Sequence, residues 1–155
     1  MDIHTIHIRK VDCRKPKIIA ILLCLQKLCL PCDKSYPVDH GHWWIAYTDT
    51  GKPIAFAGMV RSTSWFDCGY MCRAGVVPEY RGKGLQKRLI KVRELHAKRL
   101  RWNWLITDTY YNHPSANSLI SCGFKLYDPT TPWSYKHALY WRKKIPCRLK
   151  TKKKN

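Results

Sequence analysis

The sequence predicts a mixed α/β fold, one mixed sheet with helices on its faces. Three observations predict it. Short β-prone stretches recur along the whole chain. Three other stretches carry apolar residues at helical spacing or all round. The two kinds interleave, in the order β–α–β–β–β–α–β–α–β–β, instead of forming separate blocks.

Each element has its own signal. Ile3–Val11 alternates Ile6, Ile8 and Val11 against His7, Arg9 and Lys10, which predicts a first strand. Ile18–Leu28 is apolar on all sides until Gln26 and Lys27 and reads as a largely buried helix. Leu30–Gly41, with two prolines and two aspartates, reads as a loop or a short helix. His42–Tyr47 and Ile54–Val60 flank the turn Asp49–Pro53 and form a hairpin over about 42–62. Gly69–Val77 is a further strand. Gly84–Leu100 is a helix whose apolar face carries Leu85, Leu89, Val92 and Leu95 or His96. Trp104–Tyr110 is a strand. Pro114 suits the first turn of a helix that runs to about Cys122, and Gly123 stops it. Phe124–Tyr127 and His137–Ile145 are the last strands, separated by the loop Asp128–Pro132.

At 155 residues the chain reads as one domain, residues 1–148, followed by a basic, disordered tail, 149–155. The formal net charge of +19 is extreme and points to a polyanionic partner, nucleic acid or ribosome. The alternative is a solvated basic face around an anionic ligand. The cations fall in two sets: Lys87, Arg88, Lys91, Arg93, Lys98 and Arg99 on the long helix, and Arg142, Lys143, Lys144, Arg148, Lys150 and Lys152–Lys154 near the end.

The eight cysteines do not read as a secreted disulfide framework. The apolar run Ile18–Leu30 mimics the core of a signal peptide, but Lys27 interrupts it and no small-residue cleavage site follows. It is also too short for a membrane span. The expectation is a cytoplasmic protein with reduced thiols and no membrane partner. Cys29-Leu-Pro-Cys32 with Cys68 and Cys72 spells a possible four-thiolate zinc site or a redox pair; small buried thiols are the reading taken, with no metal expected.

The chemistry concentrates in Val76–Gln86. A β-branched strand runs through Pro78 into a glycine-spaced basic turn and then into the long helix. Gly82 and Gly84 let backbone approach a ligand closely. The helix then opens with free N–H groups and the positive end of its dipole. Together these form a cradle for phosphate or pyrophosphate.

Arg81-Gly-Lys-Gly-Leu-Gln86 resembles the pyrophosphate motif of the GNAT superfamily of acyl-CoA-dependent N-acyltransferases. The lead-in Val76-Val-Pro-Glu-Tyr80 is similar to that family's fourth strand and the turn after it. Asn112-His-Pro-Ser-Ala-Asn-Ser-Leu-Ile-Ser-Cys-Gly-Phe124 resembles its later helix, which ends in Gly-Phe. The motifs stand in the family's order, and the resemblance covers nearly the whole chain. It implies a GNAT-type fold, a central mixed sheet whose fourth and fifth strands splay apart. It implies acetyl-CoA as cosubstrate and direct attack by a primary amine in a ternary complex. The implied cofactor-binding residues are Gly75, Val76 and Val77 on the strand, Arg81, Gly82, Lys83, Gly84, Leu85 and Gln86 in the turn, and Asn112 and Ser115 on the far side. Arg81 and Lys83 would add charge attraction.

Two positions depart from the family pattern. Gln86 stands where a small residue is usual, and Leu119 stands where a tyrosine often protonates the departing thiolate. Tyr110, Tyr111 and Ser118 are the substitutes for that acid, or the coenzyme leaves as a thiolate stabilised electrostatically. Asp108, at the end of its strand, is the first candidate base; His40 and His42 are others, Glu79 reads as exposed, and a water chain is the alternative. Acceptor pockets would be built from Leu30–His42, Ser62–Gly69 and Asp128–Lys136. Trp65 and Phe66 are expected to wall the acceptor site, and Trp44 and Trp104 to be core. The acceptor is an amine on a small molecule, a protein or a charged tRNA. A member of the same fold that binds coenzyme A or nucleic acid without turnover is the non-enzymatic alternative. The oligomeric state is open between monomer and homodimer.

Overall fold

The computed structural model describes residues 5–146. The start of the first strand at Ile3, Cys147 and the tail cations Arg148, Lys150 and Lys152–Lys154 lie outside the described residues. Seven strands form one sheet: β1 (His7–Val11), β2 (His42–Tyr47), β3 (Pro53–Arg61), β4 (Cys68–Val76), β5 (Trp104–Thr109), β6 (Lys125–Leu126) and β7 (Leu139–Lys144). Their order is β1-β2-β3-β4-β5-β7-β6. All neighbours are antiparallel except β4 and β5. The helices are α1 (Pro16–Cys29), α2 (Leu85–Arg99) and α3 (His113–Ser121), with a short 3-10 turn at Pro78–Tyr80.

The parallel pair is where the sheet opens. β4 and β5 pair only through Cys68–Tyr70 and Trp104–Ile106, although β4 runs on to Val76 and β5 to Thr109. A bulge lies at the fork. Between the pairs Val60–Tyr70 and Gly58–Arg73, one residue of β3 faces two of β4, Met71 and Cys72. A bulge of this kind bends its strand and raises its twist, which turns the rest of β4 away from β5. Thr107 Oγ1 donates to the Met71 carbonyl at 2.8 Å, a side-chain bond where the ladder ends.

Helices cover both faces. Leu22, Leu25 and Cys29 of α1 pack on Trp43, Ile45, Phe56 and Cys72. On the other face Ile90 and Ala97 of α2 and Leu119 of α3 pack on Trp44, Met59, Leu105 and Trp141. Leu85 and Leu89 join Ile6, Ile54 and Ala57 in a third cluster.

Two helix faces differ from expectation. α1 is not buried all round: Leu23 and Leu28 are exposed, because the helix lies on one side of a single sheet. Its Gln26 is buried instead, and holds Tyr36 by donating to the carbonyl and accepting from the N–H, both at 2.9 Å. α2 buries Leu85, Leu89, Ile90, Arg93 and Ala97 and exposes Leu95. The stripe spaced by four from Leu85 reaches Arg93, so a residue read as part of a basic face lies in the interior. Arg88 is half-buried and donates to the Ile6 carbonyl at 2.8 Å. Among the described residues no helix is long and apolar enough to cross a membrane.

Candidate functional site

The turn after β4 presents backbone rather than side chains. Gly82 and Gly84 have φ of +75° and +76°, the left-handed region that favours glycine. No neighbour crowds either Cα, so open space lies beside the turn. Gly84 caps α2 without any side-chain capping bond, and no acid stands in the first turn. The first helical bond is Arg88 N–H to the Gly84 carbonyl, 3.2 Å. The N–H groups ahead of Arg88 thus point outward at the positive end of the helix.

A groove of about 670 Å³ runs from this turn along the free edge of β4 to α3. That is within the ~300–1,000 Å³ range of small-molecule sites. Gly75, Val76, Arg81, Gly82, Gly84, Leu85, Gln86, Asn112 and Ser115 border it, together with Ala74 and Lys87, which sequence reasoning did not select. No acid borders it among the described residues. Gly75 is required by packing: a Cβ there would sit 2.5 Å from Cys29 Cβ and 2.9 Å from the Phe56 ring. Glycine lets the end of α1 close one side of the groove.

Three expected contributors are placed differently. Val77 does not border the groove; its N–H bonds the Ile54 carbonyl and its carbonyl accepts from Tyr80, both at 2.9 Å. Arg81 is tied across the entrance, Nε to the Val76 carbonyl (3.0 Å) and Nη2 to the Cys29 carbonyl (3.3 Å). Lys83 sits over the Tyr80 ring at 5.6 Å, and Lys52 shares that ring at 5.8 Å. Asn112 caps α3 by accepting from Ser115 N–H at 3.1 Å, which leaves its amide nitrogen to donate.

The groove continues through the fork into an inner cavity of about 140 Å³, sharing Leu30, Ala74, Gln86, Asn112 and Ser115 as walls. Asp108, Tyr110, Cys72, Arg73, Arg93 and Leu119 border this inner space. Asp108 is held by three donors. Its Oδ1 accepts from Tyr70 Oη (2.6 Å) and Trp133 Nε1 (3.0 Å), and its Oδ2 from Ser134 Oγ (2.7 Å). Burial first, and the Asp108 carboxylate second, hold the Tyr70 phenol well above its ordinary pKa, so it stays a donor. Asp108 therefore fastens the 128–138 loop to the sheet. The sequence offers no signal for this, since Trp133 and Ser134 lie in a loop without a motif.

Among the acid candidates, Tyr110 borders the inner cavity and stacks near Tyr111 and Tyr135. Tyr111 is 77% exposed and borders neither space. Ser118 borders the outer groove, and its hydroxyl donates to the Pro114 carbonyl at 3.0 Å. Leu119, 4% exposed, is an apolar wall.

His40 pairs with Asp39 at the surface (3.0 Å), and Glu79 is exposed. His42 meets His96 ring to ring, Nδ1 to Nε2 at 3.1 Å, outside both spaces. Burial lowers His42, and burial followed by His42 lowers His96 to about 4. Trp65 packs edge-on against Trp104 and Tyr127 and does not border the inner cavity; Phe66 is 88% exposed. Trp104 is half-exposed beneath Arg142, while Trp44 is core. Among the described residues the cysteines are free thiols, and no three His, Cys, Asp or Glu gather around a common point.

Residues 24–124 match the family model described as the acetyltransferase (GNAT) family. No curated protein matches the chain. The fold is similar to that of a putative GNAT-family acetyltransferase from Desulfovibrio desulfuricans, with TM-score 0.74 and 12% identity over 91% of this chain and 99% of that one. It is similar to the ribosomal-protein-S18-alanine N-acetyltransferase of Escherichia coli, with TM-score 0.72 and 13% identity over 94% and 97%. A putative acetyltransferase from Salmonella typhimurium, solved with its cofactor acetyl-CoA, gives TM-score 0.69 and 16% identity over 92% and 95%.

Proposed function

Since the chain belongs to the acetyltransferase (GNAT) family, we propose that it is an N-acetyltransferase that carries acetyl from acetyl-CoA to a primary amine in a ternary complex. The observation that carries this reading is the continuous groove, which runs from an uncapped helix N-terminus through the β4–β5 fork to the inner cavity. Acetyl-CoA supplies an acetyl group activated as a thioester. The N–H groups at the start of α2 bind its pyrophosphate, with Lys87 adding charge. The free edge of β4 at Ala74–Val76 pairs with the pantetheine amides, and Asn112 donates from the opposite wall. The acceptor enters between the 30–41 and 128–138 loops, which Gln26 and Asp108 hold in place. With Asp108 so engaged, water takes the amine's proton. Tyr110 is the acid candidate that borders the inner cavity.

The acceptor class stays open among small amines, protein amines and amines linked to nucleic acid. The charge of +19 favours a second feature, association with nucleic acid. Lys87, Lys91, Lys98 and Arg99 are exposed along α2. Such binding would weaken with salt by a slope of roughly 0.9 per phosphate contact on duplex DNA.

The test is thiol release from acetyl-CoA in the presence of small amines, lysine peptides, free N-terminal peptides and charged tRNA. Release that needs one of these amines supports the enzyme. Tight acetyl-CoA binding with no release from any acceptor supports a binding protein of the same fold.

A further inference from the structure

Arg93 lies in the middle of α2, 3% exposed, beneath the forked sheet. Its two hydrogen bonds go to neutral backbone carbonyls. Nε donates to the Leu89 carbonyl at 3.0 Å and Nη1 to the Gly58 carbonyl at 3.3 Å. A buried cation of this kind is costly unless an anion faces it.

Among the described residues no carboxylate forms an ion pair with Arg93. The titratable groups around Arg93 are Cys72 on β4, Cys122 at the end of α3 and Glu94 beside it on α2. Glu94 is engaged by Lys143, Oε1 to Nζ at 2.8 Å. Burial pushes the Cys72 thiol up to about 11, and burial likewise raises Cys122, so both are neutral at pH 7. Burial also lowers Arg93, but only to about 10, so it keeps its charge. Asp108 and Asp33 border the same cavity, yet Asp108 is taken by Tyr70, Trp133 and Ser134, and neither forms an ion pair with Arg93.

Arg93 borders the inner cavity together with Leu119, Cys72, Thr107 and Gln86, and with a second cation, Arg73, whose guanidinium donates to the Lys34 carbonyl at 3.3 Å and lies 5.7 Å from the Tyr36 ring. This is the inner end of the groove, where the thioester sulfur must arrive if the pyrophosphate sits at Gly82–Lys87. Leu119 offers no proton there. We propose that Arg93 and the walls of this cavity form a thiolate-binding site that receives the sulfur of coenzyme A as an anion. The inference rests on the acetyl-CoA reading above. The amine nitrogen bonds to the acetyl carbon, and the C–S bond breaks with its electron pair going to sulfur. The amine's proton passes to water. The thiolate pairs with Arg93 until it leaves and takes a proton from water. No general acid is then needed: Tyr110, the acid candidate on the same walls, is not called on, and Leu119 in the tyrosine position ceases to be a defect.

The test requires no acceptor. Coenzyme A is bound to the full chain, and its thiol is titrated by ultraviolet thiolate absorbance. Affinities for coenzyme A and desulfo-coenzyme A are measured across the same pH range. The expected result is a bound thiol that titrates at least about one pH unit below free coenzyme A, a tenfold gain in thiolate affinity over thiol. Desulfo-coenzyme A should show no such rise with pH. Arg93→Met should abolish the shift and Arg93→Lys should keep part of it. If Arg93→Met does not fold, the wild-type titration still decides. A bound thiol that titrates at or above the free value, or a shift that persists in Arg93→Met, overturns the proposal while the donor site stands. A chain that binds neither acetyl-CoA nor coenzyme A overturns the donor reading and this proposal together.

Discussion

The proposed donor half and the proposed acceptor half of this molecule are built by different means. Around the groove the functional atoms are backbone: glycine turns at Gly82 and Gly84, uncapped N–H groups of α2, and an edge of β4 freed by the bulge at Met71–Cys72. Around the proposed acceptor entrance they are side chains on loops, and a buried or half-buried polar residue anchors each loop alongside other bonds. Gln26 holds the 30–41 segment through Tyr36, and Asp108 holds the 128–138 segment through Trp133 and Ser134. A backbone site tolerates many side chains but few changes of conformation. A hub site fails when one polar residue is removed. Substitutions should separate the two.

The largest effect is expected at Gly84. Gly84→Glu forces a residue with a Cβ and a negative charge into a left-handed position at the phosphate end of α2. Acetyl-CoA affinity should fall by about 100-fold or more, roughly 3 kcal/mol, as read by ligand-induced thermal stabilisation. Unchanged affinity would remove the turn from the site. Next comes the acceptor hub. Asp108→Ala strands the Tyr70, Trp133 and Ser134 donors and should lower stability by about 3 kcal/mol in urea unfolding. Acetyl-CoA affinity should change far less. Full stability with lost turnover would instead make Asp108 the base.

Gln26→Leu is a milder break in the same half. It leaves the Tyr36 N–H and carbonyl without partners and should cost about 2 kcal/mol. Once an acceptor is known, its KM should rise while that of acetyl-CoA stays put. The smallest effect lies outside both halves. Burial first, and His42 second, lower His96 in the folded chain from its ordinary 6.5 to about 4. A lowered histidine leaves the unfolded state with more bound protons between those values, so stability falls as pH drops from about 6.5 to about 4. The groups facing it are His42, Lys10, Arg99 and the Trp44 ring. His96→Gln should flatten that part of the Tm-against-pH curve without touching either half of the site; an unchanged slope would assign the acid sensitivity elsewhere.

The left-handed turn at Gly82 and Gly84 was legible in the sequence because such a backbone needs glycine, and glycine at fixed spacing is visible. The element order follows from the hydrophobic periodicities, with errors mostly at element ends, whereas the fork between β4 and β5 was implied only by the family resemblance of the 76–86 and 112–124 motifs. Two features were hidden for physical reasons. Amphipathic spacing alone does not say which of two adjacent stripes faces the sheet, so Arg93 read as solvated while Leu95 read as core. Loop hubs have no spacing rule at all, so Trp133 and Ser134 carried no signal, and Trp65 and Phe66 stood out only for their size. Lys87 and Ala74 were also missed, although both sit within one turn or one residue of positions the motif selects.

Backbone of the β4 edge and the α2 N-terminus is proposed to hold the donor. Amide hydrogen exchange with and without acetyl-CoA tests it most directly. New protection is expected at Ala74–Val76, Gly82–Lys87 and Asn112–Ser118, with little change in the 30–41 and 128–138 loops. Protection confined to those loops, or none anywhere at saturating acetyl-CoA, would contradict it.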